Sequence, residues 1–475
     1  MNQPETASVI SSSAEVSSAE YFAQRQLKQG TVGWLLLIGL GVAYVISGDF
    51  AGWNFGIAQG GWGGMFIATA LAALMYLCLC LSMSEMSTMM PTAGGGYSFA
   101  RAAFGPFGGY LTGTAILIEY AIAPAAIAVF IGGYCESLFG INGWMIYLAC
   151  YAIFMGIHLK GAGEALKIMF AITLVAAVAL VVFIGAMIPH FNAQNLFDIP
   201  VSTGVGASLF LPHGYLGIWA AVPFAIWFFL AVEGVPLAAE EAKDPAKSLP
   251  RGLIGAMLIL TAFAMLILFL GAGASTLQNS GAPLVDALVK VYGTNTWLAT
   301  FVNFVGLAGL IASFFSIIYA YSRQIFALSR AGYLPTSLSL TNKNKAPYLA
   351  IIIPGIIGFL LSLTKEGDSL ILIAVFGATI SYVLILLSHI KLRLSKPDMP
   401  RPYKTPGGII TSSIALVLAV AAVVAGFVVN PKVWFIAAGI YVVFIAYFLF
   451  YSRYHLVKGT PEEEFANIKA AEQEL

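Results

Sequence analysis

The chain has 475 residues, 59% of them hydrophobic and only 9% charged, with 23 Lys and Arg against 22 Asp and Glu for a net charge of +1. A soluble domain carries roughly 25% charged residues. A soluble enzyme and a disordered chain are therefore excluded, and the near-zero net charge gives no electrostatic case for nucleic acid. Mean hydropathy is +0.88, so the solvent of this protein is mostly lipid.

Residues 1–30 are polar and carry no short apolar segment with a cleavage site, which predicts a tail and no secretory signal. Apolar runs follow at 32–58, 62–84, 107–135, 142–158, 165–189, 217–239, 251–273, 297–322, 347–364, 369–390, 409–429 and 432–452. Each is long enough for a transmembrane helix, so the expectation is an all-α integral membrane protein with twelve spans. An even count places both termini on one side. Under that alternation 20 of the 23 Lys and Arg fall on the side of the termini, and only Lys290, Lys365 and Lys432 on the other. Such asymmetry predicts that both termini are cytoplasmic.

The segment at 191–216 is free of Lys and Arg, so it is expected outside, over the outer mouth. The tail from 453 holds Glu462, Glu463, Glu464, Glu472 and Glu474 and reads as a solvated helix. Cys78, Cys80, Cys135 and Cys150 lie in or beside apolar runs, without CxxC spacing, and read as small buried hydrophobes. His158, His190, His213, His389 and His455 sit at span ends or in loops. They show no metal-ligand spacing and form no nucleophilic set, so neither a metal, a cofactor nor an enzyme activity is expected.

Ionisable groups inside a membrane are costly, and each is a functional candidate. Asp49 lies midway through the first span, Glu119 in the third and Glu233 in the sixth, and no span has Lys or Arg at its centre. Three acids without basic partners point to a cation, either a proton or a positively charged solute. The first span reads Ser47-Gly48-Asp49-Phe50-Ala51-Gly52-Trp53-Asn54, a polar stretch that makes poor helix and is tolerated where backbone lines a cavity. The sixth is interrupted more weakly, between Pro223 and Pro236. Paired interruptions in corresponding spans of two five-span halves point to a transport site near the midplane. Gly52, Gly56, Gly60 and Gly64 recur every fourth residue, which reads as a close-packing stripe.

Several strings resemble the amino acid–polyamine–organocation transporters: Ser47 to Phe50, Glu85 to Tyr97, Trp227 to Glu233 with Glu240 to Pro245, Ser322-Arg323 with Leu328 to Pro335, and Arg401 to Gly407. The resemblance covers nearly the whole chain. It implies a first inverted repeat over 31–190 and a second over 217–391, then a cytoplasmic loop at 392–408 and two further helices over 409–452. It implies secondary transport by alternating access. It also implies a substrate site holding Ile46, Ser47, Gly48, Asp49, Phe50, Glu119, Tyr120, Trp227, Phe229, Leu230 and Ala231, with Trp227 closing over the substrate. Glu119 and Glu233 would bind a proton or support the broken helix.

Two departures from the family pattern matter. Amino-acid carriers usually have a small or apolar residue where this chain has Asp49, and a carboxylate there repels a substrate carboxylate. The stretch from Ser47 to Asn54 is similar to the ethanolamine permease branch. The expected substrate is therefore a small organic amine, ethanolamine foremost, carried across a bacterial cytoplasmic membrane. A neutral or cationic amino acid carried by the same fold is the alternative. The second departure is the lack of a lysine inside the fifth span, near Ala176, where some proton-coupled members have one. That leaves proton coupling, sodium coupling and facilitated uniport open.

Overall fold

The computed structural model describes residues 27, 30, 32–274, 278, 280–293 and 297–457, and of residues 162–166 the backbone only. Most of both expected tails, including Arg25, Lys28, Lys458, Lys469 and the C-terminal glutamates, lies outside the described residues. The described residues are almost wholly helical, with two isolated backbone bridges, Val32 to Ala242 and Thr341 to Pro347, and no strand among them.

The first span is built from α1 (Trp34–Val45), the single turn α2 (Ser47–Phe50) and the start of α3 (Asn54–Met89). Gly61, with φ 70°, ends the first span inside α3 and starts the second. A Cβ there would also stand 2.3 Å from Pro212, so both the backbone angle and the space demand glycine. Next come α4 (Gly96–Phe139), α5 (Trp144–Leu159) and α6 (Ala162–Met187). The sixth span is α7 (Gly214–Trp227) followed by a 3-10 stretch, Val232–Glu241. The chain continues through α8 (Pro245–Ala274), the short α9 (Pro283–Tyr292), α10 (Trp297–Arg330), α11 (Tyr348–Ser362) and α12 (Gly367–Ser395). It ends with α13 (Ile409–Val429) and α14 (Pro431–Phe450). Nine segments among the described residues are long and apolar enough to cross a bilayer, and Trp34–Val45, Trp144–Leu159 and Tyr348–Ser362 are shorter apolar helices. Together they make the twelve expected spans.

Lipid offers no hydrophobic drive for helices to associate, so close packing falls to small residues. At Gly377 a Cβ would be 2.5 Å from the Ala115 carbonyl, which brings α12 against the backbone of α4. At Gly60 it would be 2.5 Å from the Gly217 carbonyl, and at Gly41 2.6 Å from Ala256. The stripe Gly52, Gly56, Gly60 and Gly64 faces α7 in this way, through Trp227, Phe224 and Gly217. The outer helices leave apolar side chains exposed, such as Leu174, Val178 and Val181 on α6 and Val442 and Val443 on α14, as a lipid-facing surface requires. The four cysteines are buried and unpaired.

Candidate functional site

The two interrupted spans meet at the centre of the molecule. α1 and α2 are joined through Ile46, whose backbone is still helical, and the chain leaves helical geometry at Ala51 (φ −158°) and Gly52 (φ 98°). The interruption thus falls just past Asp49, within the polar Ser47 to Asn54 stretch. The N–H groups of Ile46 and Asp49 already donate within the chain, to Val42 and Ile46. Carbonyls freed by the interruption are taken up by side chains. Trp227 Nε1 donates to Ala51 O at 3.0 Å, Tyr134 Oη to Phe50 O at 3.0 Å, and Ser313 Oγ to Tyr44 O at 2.7 Å. Ser47 Oγ lies 2.8 Å from Ser313 Oγ, fixing the turn to α10. Gly48 allows the closest approach, since a Cβ there would be 2.6 Å from the Trp227 carbonyl.

In the sixth span, α7 stops at Trp227 and Ala231 adopts φ 78° before the 3-10 stretch. A left-handed alanine costs about 1–2 kcal/mol, strain that persists because its surroundings fix it. Phe228 stacks on Trp53 with centroids 6.0 Å apart, Trp227 meets Phe130 edge-on, and Phe229 packs on Tyr76. Leu230 and Ala231 are buried as well. Phe50 points toward Gly306 and Gly309 of α10, and Gly309 also abuts Ala176 of the fifth span.

The three intramembrane acids divide into two sites. Asp49 is fully buried, neither side-chain oxygen has a hydrogen-bond partner, and no charged side chain acts on it. Glu119 and Glu233 instead lie within interaction range of each other, inside a ring of Tyr44, Tyr76, Tyr120 and Tyr382. Tyr120 donates to Glu233 Oε1 at 3.4 Å, and the Tyr76 and Tyr382 hydroxyls are 2.7 Å apart. Gly234 makes room for this ring, with Tyr120 Oη and the Tyr44 ring each 3.1 Å from where its Cβ would stand. Both oxygens of Glu119 lack a hydrogen-bond donor.

The face carrying most Lys and Arg is sealed by groups that sequence reasoning missed. Arg323 and Arg330 stand two turns apart on α10 and pair with the adjacent Glu241 and Glu240, at 3.1 and 2.7 Å. Tyr319 also donates to Glu241, and Ala93 N donates to Glu240 at 3.0 Å. Val32 clamps the same segment, donating to Glu241 O at 2.9 Å and accepting from Lys243 N at 2.9 Å. A second hub forms around Glu85, which accepts from Arg393, Arg401 and Thr405 N and lies 3.4 Å from His389. It ties α3 to α12 and to the turn before α13. Glu85 stands near the end of a span, where an acid ordinarily meets water, yet it is fully buried. The signal was present in Arg393 and Arg401, but pairing across more than 300 residues is invisible to a local reading.

A multi-span helical bundle with two interrupted helices meeting at buried acids defines a membrane transporter. The chain belongs to the amino acid permease family, whose sequence profile matches residues 4–450. It is 27% identical over 410 residues to the branched-chain amino acid permease BcaP of Bacillus subtilis, covering 80% of this chain and 84% of the relative. It is 25% identical over 397 residues to the aromatic amino acid transport protein AroP of Escherichia coli K12, covering 78% and 83%. An uncharacterized transporter of Rhizobium meliloti is 27% identical over 392 residues, covering 80% and 83%. The protein is therefore a permease of small organic solutes and not an enzyme.

Proposed function

We propose that this permease imports a small organic amine lacking a carboxylate, with ethanolamine the best-fitting member, across a bacterial cytoplasmic membrane. The observation that carries the reading is the Asp49 carboxylate, buried beside the first interruption with no partner for either oxygen. A buried unpaired charge costs several kcal/mol, and an ammonium offsets that cost. A substrate carboxylate would meet repulsion at the same place. Trp53 donates Nε1–H to the Asp49 backbone carbonyl and stacks on Phe228, and aromatic rings close to the first interruption could add cation–π contacts worth about 2 kcal/mol each when desolvated.

Proton coupling through Glu119 and Glu233 belongs to the same reading. The pair exchanges its proton as the transporter alternates, with the basic face cytoplasmic and the Glu240–Arg330 and Glu241–Arg323 pairs closing the inner gate. The family relationship favours a second reading, in which an amino acid is carried. The relatives named for their substrates carry branched-chain or aromatic amino acids. Uptake of labelled ethanolamine into proteoliposomes, challenged with excess unlabelled amines or amino acids, separates the two. Inhibition by small amines alone supports the first reading, and inhibition by alanine or leucine supports the second. Sodium-driven uptake, or uptake indifferent to any gradient, would overturn the proton assignment.

A further inference from the structure

A groove of about 510 Å³ opens beside α1, apart from the site described above. Its walls are Trp34 and Ile38 of α1 and the face of α8 that carries Lys247, Arg251, Ile254 and Leu258, with Pro402 and Tyr403 at one end. Polarity changes along its length. Lys247 and Arg251 stand at the basic-face end of α8, and the lining becomes wholly apolar through Ile254 to Leu258. At 1.5 Å per residue the distance from Lys247 to Leu258 is about 16 Å, close to one leaflet of a hydrocarbon core about 30 Å thick.

Lys247 is exposed and makes one loose pair, 3.5 Å from an exposed Asp244, and Arg251 is exposed with no ion pair among the described residues. Trp34 is 47% exposed and Leu258 56%, so the groove presents an aromatic and an aliphatic surface to whatever surrounds the protein. Gly255 lets Ile38 seat deeply, since a Cβ there would be 2.8 Å from the Ile38 side chain.

We propose that this groove is a binding site for an anionic phospholipid of the surrounding bilayer. Its phosphate lies between Lys247 and Arg251, and an acyl chain runs down Ile38, Ile254 and Leu258. Two cations at a membrane surface with an apolar channel beneath them match that amphiphile and mismatch a zwitterionic one. Because α1 is the first half of an interrupted span, the lipid braces a moving element against α8.

Native mass spectrometry of the delipidated full chain tests this without any amine present, so the result is independent of the transported substrate. Phosphatidylglycerol is expected to be retained in preference to phosphatidylcholine. In Lys247→Gln/Arg251→Gln the affinity for phosphatidylglycerol should fall by about thirtyfold, from about 1 kcal/mol per cation. Arg251→Glu, checked for unaltered thermal unfolding, should abolish the preference. Equal retention of the two lipids by the unaltered protein would overturn the proposal. So would unchanged retention in the variants, or displacement of phosphatidylglycerol by inorganic phosphate as effectively as by the lipid itself.

Discussion

Replacing Asp49 by asparagine removes one charge and almost no volume from the heart of the site. Both Asp49 oxygens are buried without a protein partner, so an ionised carboxylate there costs stability unless a cation pairs with it. A neutral amide escapes the charge part of that penalty. The empty variant should therefore unfold at a temperature equal to or above that of the wild type. Binding should move the other way. Truncating one partner of a buried, hydrogen-bonded ion pair costs about 2–5 kcal/mol. Taking about 3 kcal/mol, amine affinity should drop by about 150-fold. Thermal-shift titration with ethanolamine reads both quantities in one experiment, because the ligand-free midpoint gives stability and the dose dependence gives affinity. An unchanged affinity, with the protein folded, refutes the assignment of Asp49 to the ammonium.

Further outcomes follow from the other parts of the site. Glu119→Gln and Glu233→Gln should each abolish stimulation of uptake by an inward proton gradient while leaving exchange of internal for external amine, and stimulation that survives in both variants removes the carboxyl pair from coupling. Glu240→Gln/Glu241→Gln leaves Arg323 and Arg330 buried without their carboxylates, a change of about 3–5 kcal/mol against the closed gate. A cysteine introduced at Ala93, buried beside that gate, should then react with a membrane-impermeant maleimide at least tenfold faster, and an unaltered labelling rate would show that the pairs do not hold the gate. Gly48→Ala places a methyl 2.6 Å from the Trp227 carbonyl and should eliminate transport, whereas Gly64→Ala, with its nearest neighbour at 3.4 Å, should retain it. Equal activity of the two alanine variants would show that the two interrupted spans are not held at the distance seen.

Much of the architecture is legible in the sequence because bilayer thickness imposes a length on every span. Gly61 and Gly105 each break the helical path with a positive φ, so a kink separates the helical segments on either side. The three mid-span acids stand out for the same reason, since apolar surroundings make each one conspicuous. Their division into a solitary Asp49 and a Glu119–Glu233 pair was not legible. It depends on α4 and the sixth span converging, which Gly234 permits by leaving room for Tyr120 of α4, a contact distant in sequence. The first interruption falls within the Ser47 to Asn54 stretch, although helical geometry persists through Phe50 and breaks only at Ala51 and Gly52. The Glu240–Arg330 and Glu241–Arg323 pairs and the Glu85 hub were missed because Glu240, Glu241 and Glu85 sit at span ends, where an acid ordinarily meets water. Here their partners come from α10 and from the turn after α12.

The central claim is that Asp49 selects an ammonium without a carboxylate, and serine against ethanolamine tests it most directly. Serine is ethanolamine with one carboxylate added at the carbon bearing the amine. Thermal-shift titration of the wild-type protein with the two compounds under identical conditions isolates that group. Ethanolamine should give a saturable stabilisation, and serine none at the same concentrations. Stabilisation by serine equal to or greater than that by ethanolamine would contradict the claim and return the protein to the amino-acid carriers it resembles.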